Sequence, residues 1–309
     1  MSLLKRTLKI TSQILLVLVV LFFTTIVYLR LTVEPLPQHG YFQEGEFLVL
    51  AHRGGRGLWP ENTLYAFEHA VDLGVDVLDF DVHGLADGSL VLLHDSALDR
   101  TTNGTGEVTG YTLGELQQLD AGYRWTDDDG KSFPFRGRGI RIPELSEVFA
   151  AFPDTRMNIE IKQGPDNVTR IFCDKVREYG MQDKVVVASF SAEMMQEFRT
   201  DCPDIATAAG VGEAAPFFIL NLVYLAGIWH PPAETLQMPG FRNGRPMINK
   251  RFINAAHQHN LFVYVWTVND QSELQAMVEM GVDGIITDYP DRLLAIMANS
   301  RIPAQEIHE

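Results

Sequence analysis

Cysteine is nearly absent from this 309-residue sequence: Cys173 and Cys202 are the only two, in no Cys-x-x-Cys spacing. Neither a disulfide framework nor a zinc cluster can be built from them, so the fold must stand on an apolar core. Two free buried thiols are the default expectation, with a bond between them as the alternative in an oxidising compartment. Basic charge is scarce as well, 25 Lys and Arg against 40 Asp and Glu for a net charge of −15. That sign excludes the electrostatic footprint of a nucleic-acid binder. Low-complexity tracts are missing too. With 46% hydrophobic and 10% aromatic residues, 25 Gly and 15 Pro, the composition is that of a packed, enzyme-sized domain and not of a disordered chain.

Long apolar runs are confined to one place near the start. Ile10 to Leu29 carries no charge over twenty residues, and as a helix it covers ~30 Å, the thickness of a bilayer core. Lys5, Arg6 and Lys9 precede it and only Arg30, then Glu34, follow. The positive-inside bias therefore predicts a cytosolic segment 1–9, a transmembrane helix over 10–30, a linker over 31–45 and a domain over 46–309 on the periplasmic, extracellular or lumenal side. A cleaved signal peptide is the alternative, disfavoured by the length of the run and by the lack of a small-x-small site near Val27 to Leu31. Beyond residue 45 there remain 21 basic and 38 acidic side chains, a balance of −17. Such a surface is not drawn to anionic lipid by charge, so contact with the membrane falls to the tether or to apolar burial.

Past Pro35-Leu36-Pro37-Gln38, short apolar runs alternate with helical patterns. Strands are predicted at Phe47–Ala51, Val77–Val82, Leu90–Leu93, Met157–Ile161, Val185–Ser189, Ile205–Ala209, Thr235–Met238, Leu261–Trp266 and Gly284–Thr287, and their unbroken apolar character is that of strands buried on both faces. Helices are predicted from Leu64 to Gly74, from Val168 to Gly180 and from Ser272 to Gly281, the last with Ser272 and Gln275 as a capping box. Repeated βα units over this length predict a single (β/α)8 TIM barrel. Nine strands are one too many, and Gly84 to Gly88 is too short for a crossover helix, so one of the two strands flanking it belongs to a hairpin. The weakly periodic, glycine-rich stretch over about 95–153 reads as an insertion.

Polar residues at the C-terminal ends of barrel strands build the site in this architecture. His52-Arg53 ends the first strand; Asp79 and Asp81 share one face of the second; His94-Asp95 follows the hairpin strand; Glu160 and Lys162 share one face of the next. Three carboxylates gathered in a barrel mouth repel one another unless a cation lies between them, and oxygen-only ligands suit Ca²⁺ or Mg²⁺. Two histidines supply an acid and a base near neutral pH, and Arg53 with Lys162 supplies the fixed positive charge that a phosphodiester needs.

These residues fall in an order that resembles the glycerophosphodiester phosphodiesterase family, a (β/α)8 barrel. The landmarks are Ala51-His52-Arg53-Gly54, Glu61-Asn62-Thr63, Asp87-Gly88, His94-Asp95, Arg100-Thr101-Thr102, Asn158-Ile159-Glu160-Ile161-Lys162, Trp266-Thr267-Val268-Asn269 and Ile286-Thr287-Asp288, spread over residues 49–290. The resemblance implies metal-dependent hydrolysis of a glycerophosphodiester to an alcohol and sn-glycerol 3-phosphate. By position it makes His52 and His94 the catalytic acid-base pair, Arg53 and Lys162 phosphate contacts, and Asp79, Asp81 and Glu160 metal ligands, with Glu61 near the site and Trp266 as a substrate wall or a core residue. It implies an inserted subdomain after the second histidine. One departure stands out: the family's Glu-x-Asp reads Asp79-Phe80-Asp81 here. A carboxylate shorter by one methylene retracts by ~1–1.5 Å, which predicts weaker metal affinity.

Membrane-anchored relatives of this family include lysophospholipase D enzymes, so a lysophospholipid is the alternative substrate. A non-catalytic phosphodiester-binding barrel and release of a cyclic phosphate are further alternatives. The run Phe217 to Trp229, thirteen residues with Asn221 as the one strongly polar member, is too short to span a membrane; it predicts either a core helix or an apolar lid near the mouth. Oligomeric state is left open.

Overall fold

The structure is a computed structural model that describes the backbone of residues 3–300 and side chains from residue 8 to residue 299. Residues 1–2 and 301–309, the outer ends of the predicted first and last segments, and the side chains of Lys5 and Arg6 lie outside the described residues. The chain opens with α1 (Leu3–Thr32), whose Leu8–Thr32 part is long and apolar enough to cross a membrane and has no fully buried residue. Membrane spans and signal sequences share that length and composition.

Beyond it, eight βα-type units close on themselves. The strands are β1 (Leu48–His52), β2 (Val77–Gly84), β3 (Leu90–Leu92), β4 (Arg156–Gln163), β5 (Val185–Ala188), β6 (Ala206–Thr207), β7 (Thr235–Pro239), β8 (Phe241–Arg242), β9 (Arg245–Pro246), β10 (Phe262–Trp266) and β11 (Gly284–Thr287). The helices after α1 are α2 (Leu64–Leu73), α3 (Leu113–Leu116), α4 (Leu145–Ala151), α5 (Val168–Glu178), α6 (Ala192–Asp201), α7 (Val211–Leu222), α8 (Lys250–His257), α9 (Gln271–Met280) and α10 (Pro290–Ser300). The main sheet runs β6-β5-β4-β2-β1-β11-β10-β7, all parallel, and a parallel bridge between Ala208 and Thr235 joins its two edges. The result is the TIM barrel that the alternating pattern predicts. The ninth strand is the hairpin strand: β3 pairs antiparallel with β2 through Val82 and Leu92. The β8–β9 pair is a separate two-stranded hairpin.

Residue type sets the layers. Outward-facing Leu78, Phe80, Met157 and Ile159 meet Phe67 of α2, Phe149 of α4 and Phe172 of α5, all essentially solvent-free, in one half of the strand-to-helix core. Val263, Val265 and Ile285 meet Phe217, Phe252 and Leu274 in the other half. At the N-terminal ends of the strands the interior is filled by Leu50, Val77, Val186 and Tyr264, and its floor is laid by Tyr41 and Phe42. The predicted linker over 31–45 is therefore not all spacer, because the ring of Phe42 stacks on Phe262 at 4.2 Å and Tyr41 is buried. The stretch predicted as inserted also divides. Residues 93–142 build their own small cluster from Leu98, Val108, Leu116 and Ile142, whereas α4 belongs to the barrel's helical layer.

Helix ends follow local chemistry. Thr63 caps α2 by accepting from Ala66 N, and Gly74 closes it in the left-handed conformation. For α9 the predicted capping box gives way to Asp270, whose carboxylate accepts from both Ser272 N and Glu273 N, so the helix begins one residue before Ser272. An ionised Asp reaching two free N–H groups is the stronger cap. The cysteines also depart from their default reading. Cys173 on α5 and Cys202 at the end of α6 are disulfide-bonded, since adjacent packing of the two helices brings their Cα atoms to 6.0 Å.

Candidate active site

The candidate residues gather on one side of the barrel, His52 and Trp266 at the ends of β1 and β10, Asp79 and Asp81 within β2, Glu160 and Lys162 in the later half of β4, and two strands place four of them by register alone. Parallel pairing sets Asp79 beside Asn158 and Asp81 beside Glu160. The period of two then aims Asp79 and Asp81 from β2, and Asn158, Glu160 and Lys162 from β4, into the same interior space. Lys162 Nζ sits between two of the carboxylates, 3.1 Å from Asp81 Oδ1 and 2.7 Å from Glu160 Oε2. Asp79 accepts from Asn158 Nδ2 at 2.6 Å, and Asp81 accepts from Asn62 Nδ2 at 3.1 Å.

Burial without full compensation leaves this acidic set short of positive charge. Burial, with the neighbouring Asp81 charge, pushes the Asp79 carboxyl up to about 6 against the pull of His52 and Asn158. Glu160 is also raised by burial, although Lys162 pulls it down. Donor type and excess buried negative charge both fit a hard divalent cation. As they stand the side chains do not converge on one point: among the described residues no three His, Cys, Asp or Glu are close enough together to hold an ion.

The turn after β1 carries the rest of the basic charge. Arg53 adopts a left-handed φ of 52°, followed by Gly54 and Gly55 at 81° and 87°. Gly54 has no alternative, because a Cβ there would lie 2.7 Å from Phe67 and 2.8 Å from Ala66. Folding back in this way buries the Arg53 guanidinium, whose Nη1 donates to Glu61 Oε1 at 2.8 Å. Its Nε lies 3.3 Å from Asp81 Oδ2 but is not aligned for a hydrogen bond, and no other partner reaches it. This N–H is thus held against Asp81 by charge and lacks an aligned hydrogen bond.

Both histidines are held through Nδ1 by a carboxylate. His52 pairs with Asp288 Oδ1 at 2.5 Å, and His94 with Asp95 Oδ1 at 2.6 Å. Asp288 is itself fixed by Arg56 Nε at 2.9 Å and by Asn269 Nδ2 at 2.8 Å. Burial opposes ionisation of Asp288, yet the bond to His52 and the charges of His52 and Arg56 hold it at about 2. Asp95 is bound by Arg100 Nε, whose other nitrogens form a fork with both oxygens of Glu61 at 2.8 Å. Glu61 is held at about 2 by Arg100 and Arg53 in spite of burial, so its place is structural: it joins the two guanidinium groups. Burial lowers the His94 pKa more than its bond to Asp95 raises it.

Trp266 points inward from the end of β10, half-buried, and meets the exposed Phe190 edge-on at 6.3 Å. Phe190 in turn lies 6.0 Å from Lys162 Nζ. A cleft of about 660 Å³ runs alongside, between the inserted stretch and the loop after β1, lined by Arg56, Glu61, Arg100, Trp125 and Tyr289 among others.

Sequence reasoning gave no role to Asp288, Asn62, Asn158, Arg100 or Phe190. Asn158 was within reach, sharing the parity of Glu160 and Lys162 on β4; Asp288 and Arg100 stood in quoted landmarks but nothing local tied them to a histidine or to Glu61. The apolar lid is not at the mouth. Phe217 and Trp229 are buried and Phe218 is partly so, while the exposed part of the run lies at the C-terminal end of α7, toward the barrel floor.

The profile of the Glycerophosphoryl diester phosphodiesterase family matches residues 52–292. A glycerophosphodiester phosphodiesterase from Caldanaerobacter subterraneus subsp. tengcongensis is 33% identical over 257 residues, covering 81% of this chain and 97% of the relative. A human lysophospholipase D is 26% identical over 277 residues, covering 81% and 86% of the two chains. The crystal structure of glycerophosphodiester phosphodiesterase from Agrobacterium tumefaciens superposes with a TM-score of 0.65 at 28% identity, over 81% of this chain and 99% of that one.

Proposed function

Because this chain belongs to the glycerophosphoryl diester phosphodiesterase family, we propose that it hydrolyses water-soluble glycerophosphodiesters to an alcohol and sn-glycerol 3-phosphate, with His52 and His94 as the acid-base pair. The paired geometry supports this reading: each imidazole is fixed at Nδ1 by a carboxylate, His52 by Asp288 and His94 by Asp95, which leaves each Nε2 to exchange a proton. One imidazole takes a proton from the attacking water as the water oxygen bonds to phosphorus. The bond from phosphorus to the alcohol oxygen breaks, and the other imidazole delivers a proton to that oxygen. Arg53 and Lys162 supply positive charge to the phosphate oxygens on which charge builds. Asp79, Asp81 and Glu160 are the residues that would hold a divalent cation, Ca²⁺ or Mg²⁺, which when bound supplies further positive charge against the phosphate. Trp266 and Phe190 form an apolar wall beside it.

The soluble diester is preferred to a lysophospholipid because α1 meets the barrel at its floor, opposite the histidines: the chain from Leu36 is hydrogen-bonded to His259 and Asn260, in the connection that leads into the N-terminal end of β10. In this reading α1 is a membrane anchor and the barrel faces the periplasm, the extracellular space or a lumen. The Cys173–Cys202 bond agrees with an oxidising compartment. The test is product analysis with the purified full-length protein, given glycerophosphocholine or lysophosphatidylcholine, with Ca²⁺, Mg²⁺ or EDTA. EDTA-sensitive release of glycerol 3-phosphate is expected. Release of lysophosphatidic acid at a higher kcat/KM makes the protein a lysophospholipase D, and no turnover with any metal overturns the hydrolytic assignment.

A further inference from the structure

The C-terminal end of α7 presents large apolar side chains that none of the described residues covers. Ile219, Leu222 and Val223 fall on one face at spacings of three and four residues, 61%, 57% and 58% exposed, and Tyr224 follows at 76%. The way the helix ends makes the patch larger. Tyr224 N donates to Asn221 O and Leu225 N to Leu220 O, the paired bonds that close a helix through a left-handed residue. Glycine usually fills that position, but here Tyr224 takes it with φ 64° and projects a ring into solvent, with the Arg251 guanidinium 4.1 Å from the ring centre. A chain that accepts a strained tyrosine and exposes it keeps it for contact with something else.

Neighbouring geometry says what that is. The turn just after Tyr224, Ala226–Ile228, packs against the end of α1, where Gly227 lies beside the Arg30 side chain. Ala226 O is 3.1 Å from His259 Nε2, and His259 O accepts from Leu36 N, so the patch, the tether and the barrel floor are one connected surface. Ile26, Leu29 and Val33 are half-buried while the rest of the apolar run of α1 is bare. That sets the patch level with the last turns of α1, where a spanning helix leaves the hydrocarbon. A tyrosine flanked by arginines suits the headgroup boundary, the ring in the acyl edge and the guanidinium groups of Arg30 and Arg251 among phosphates.

We propose that Ile219, Leu222, Val223 and Tyr224 dock the floor of the barrel onto the bilayer leaflet in which α1 ends, holding the mouth turned toward water. The proposal rests on the reading of α1 as a membrane anchor. Docking at two points, helix and patch, prevents the barrel from tumbling about its tether and keeps the site on the far side of the domain from the lipid.

The test uses the full chain in vesicles of phosphatidylcholine and phosphatidylglycerol at three to one, with a photo-reactive p-benzoylphenylalanine in place of Tyr224 or, separately, of Phe190 at the mouth. After irradiation, mass analysis is expected to find phospholipid adducts at position 224 at least tenfold more often than at position 190. Adducts between two protein copies at position 224, no lipid adduct there, or lipid capture mainly at position 190 each overturn the proposal. Intact mass of the vesicle-bound protein reports separately whether α1 is retained. If α1 has been removed the anchor reading fails by itself, and lipid capture at position 224 still decides the docking face.

Discussion

Across 236 residues of chain, the Nδ1 of His52 comes to 2.5 Å from Asp288 Oδ1. Nothing local joins them. Closure of the barrel does, since β1 and β11 are parallel neighbours with Ala51 beside Thr287, and each residue is the next one along its own strand.

Replacing Asp288 with Asn keeps the size and the contact with Asn269 but removes the charge that orients and supports the imidazole. The expected result is a fall in kcat of about 10²- to 10⁴-fold with KM changed little. Steady-state kinetics checks it. A loss confined to KM would instead make Asp288 a substrate contact.

Asp79 is short for a ligand and is tied to Asn158 at 2.6 Å. In Asp79→Glu the carboxylate reaches ~1–1.5 Å further into the space that Asp81 and Glu160 also face. Calcium or magnesium is expected to bind several-fold tighter, with activity kept or raised. Calorimetric titration of the cation measures this, and equal or weaker binding counts against Asp79 as a ligand.

Glu61 links Arg53 to Arg100, and the two guanidinium groups hold its carboxyl at about 2, down from an ordinary 4.5. A depressed value means that its stabilisation is complete above the unfolded value and is lost as pH falls through the folded one. Between pH 4.5 and pH 2 the native protein therefore loses on the order of 2–3 kcal/mol from this group. Glu61→Gln is expected to lower stability by about that amount at pH 7 and to flatten the acid limb of urea-unfolding midpoints measured across the window.

The Cys173–Cys202 bond closes a loop of 29 residues between α5 and α6. Replacing both with Ala is expected to lower stability by about 3 kcal/mol, chiefly through a less constrained unfolded chain. Denaturation with and without reductant measures it: reductant should shift the wild type and leave the double variant unmoved.

Much of this architecture was legible in residue order. Unbroken apolar strands such as Val185–Ala188 and capped helices such as α2 announce themselves through burial and local hydrogen bonds, which depend on near neighbours. The period of two placed Asp79 with Asp81 and Glu160 with Lys162, and the structure brings all four together. What escaped was set by closure and packing. The Asp288 bond to His52 and the Arg100 fork on Glu61 join residues far apart in sequence, and the cysteine pair is decided by how two helices meet. Asp270 displaced Ser272, two residues on, as the α9 cap because its carboxylate accepts from both Ser272 N and Glu273 N. The direction of the apolar run in α7 needed the sense of the strand before it, since a helix following a barrel strand returns to the floor.

Tyr41 and Phe42 close that floor, and they sit only a few residues beyond the end of α1. The segment that joins α1 to β1 is thus also the stopper of the barrel. On the anchored reading proposed above, a protease cutting among the exposed Glu34, Pro35 and Pro37 would release the barrel with its floor still sealed. One cutting after Phe42 would pull the stopper and let solvent into the strand interior, so the few residues between these points separate shedding from destruction.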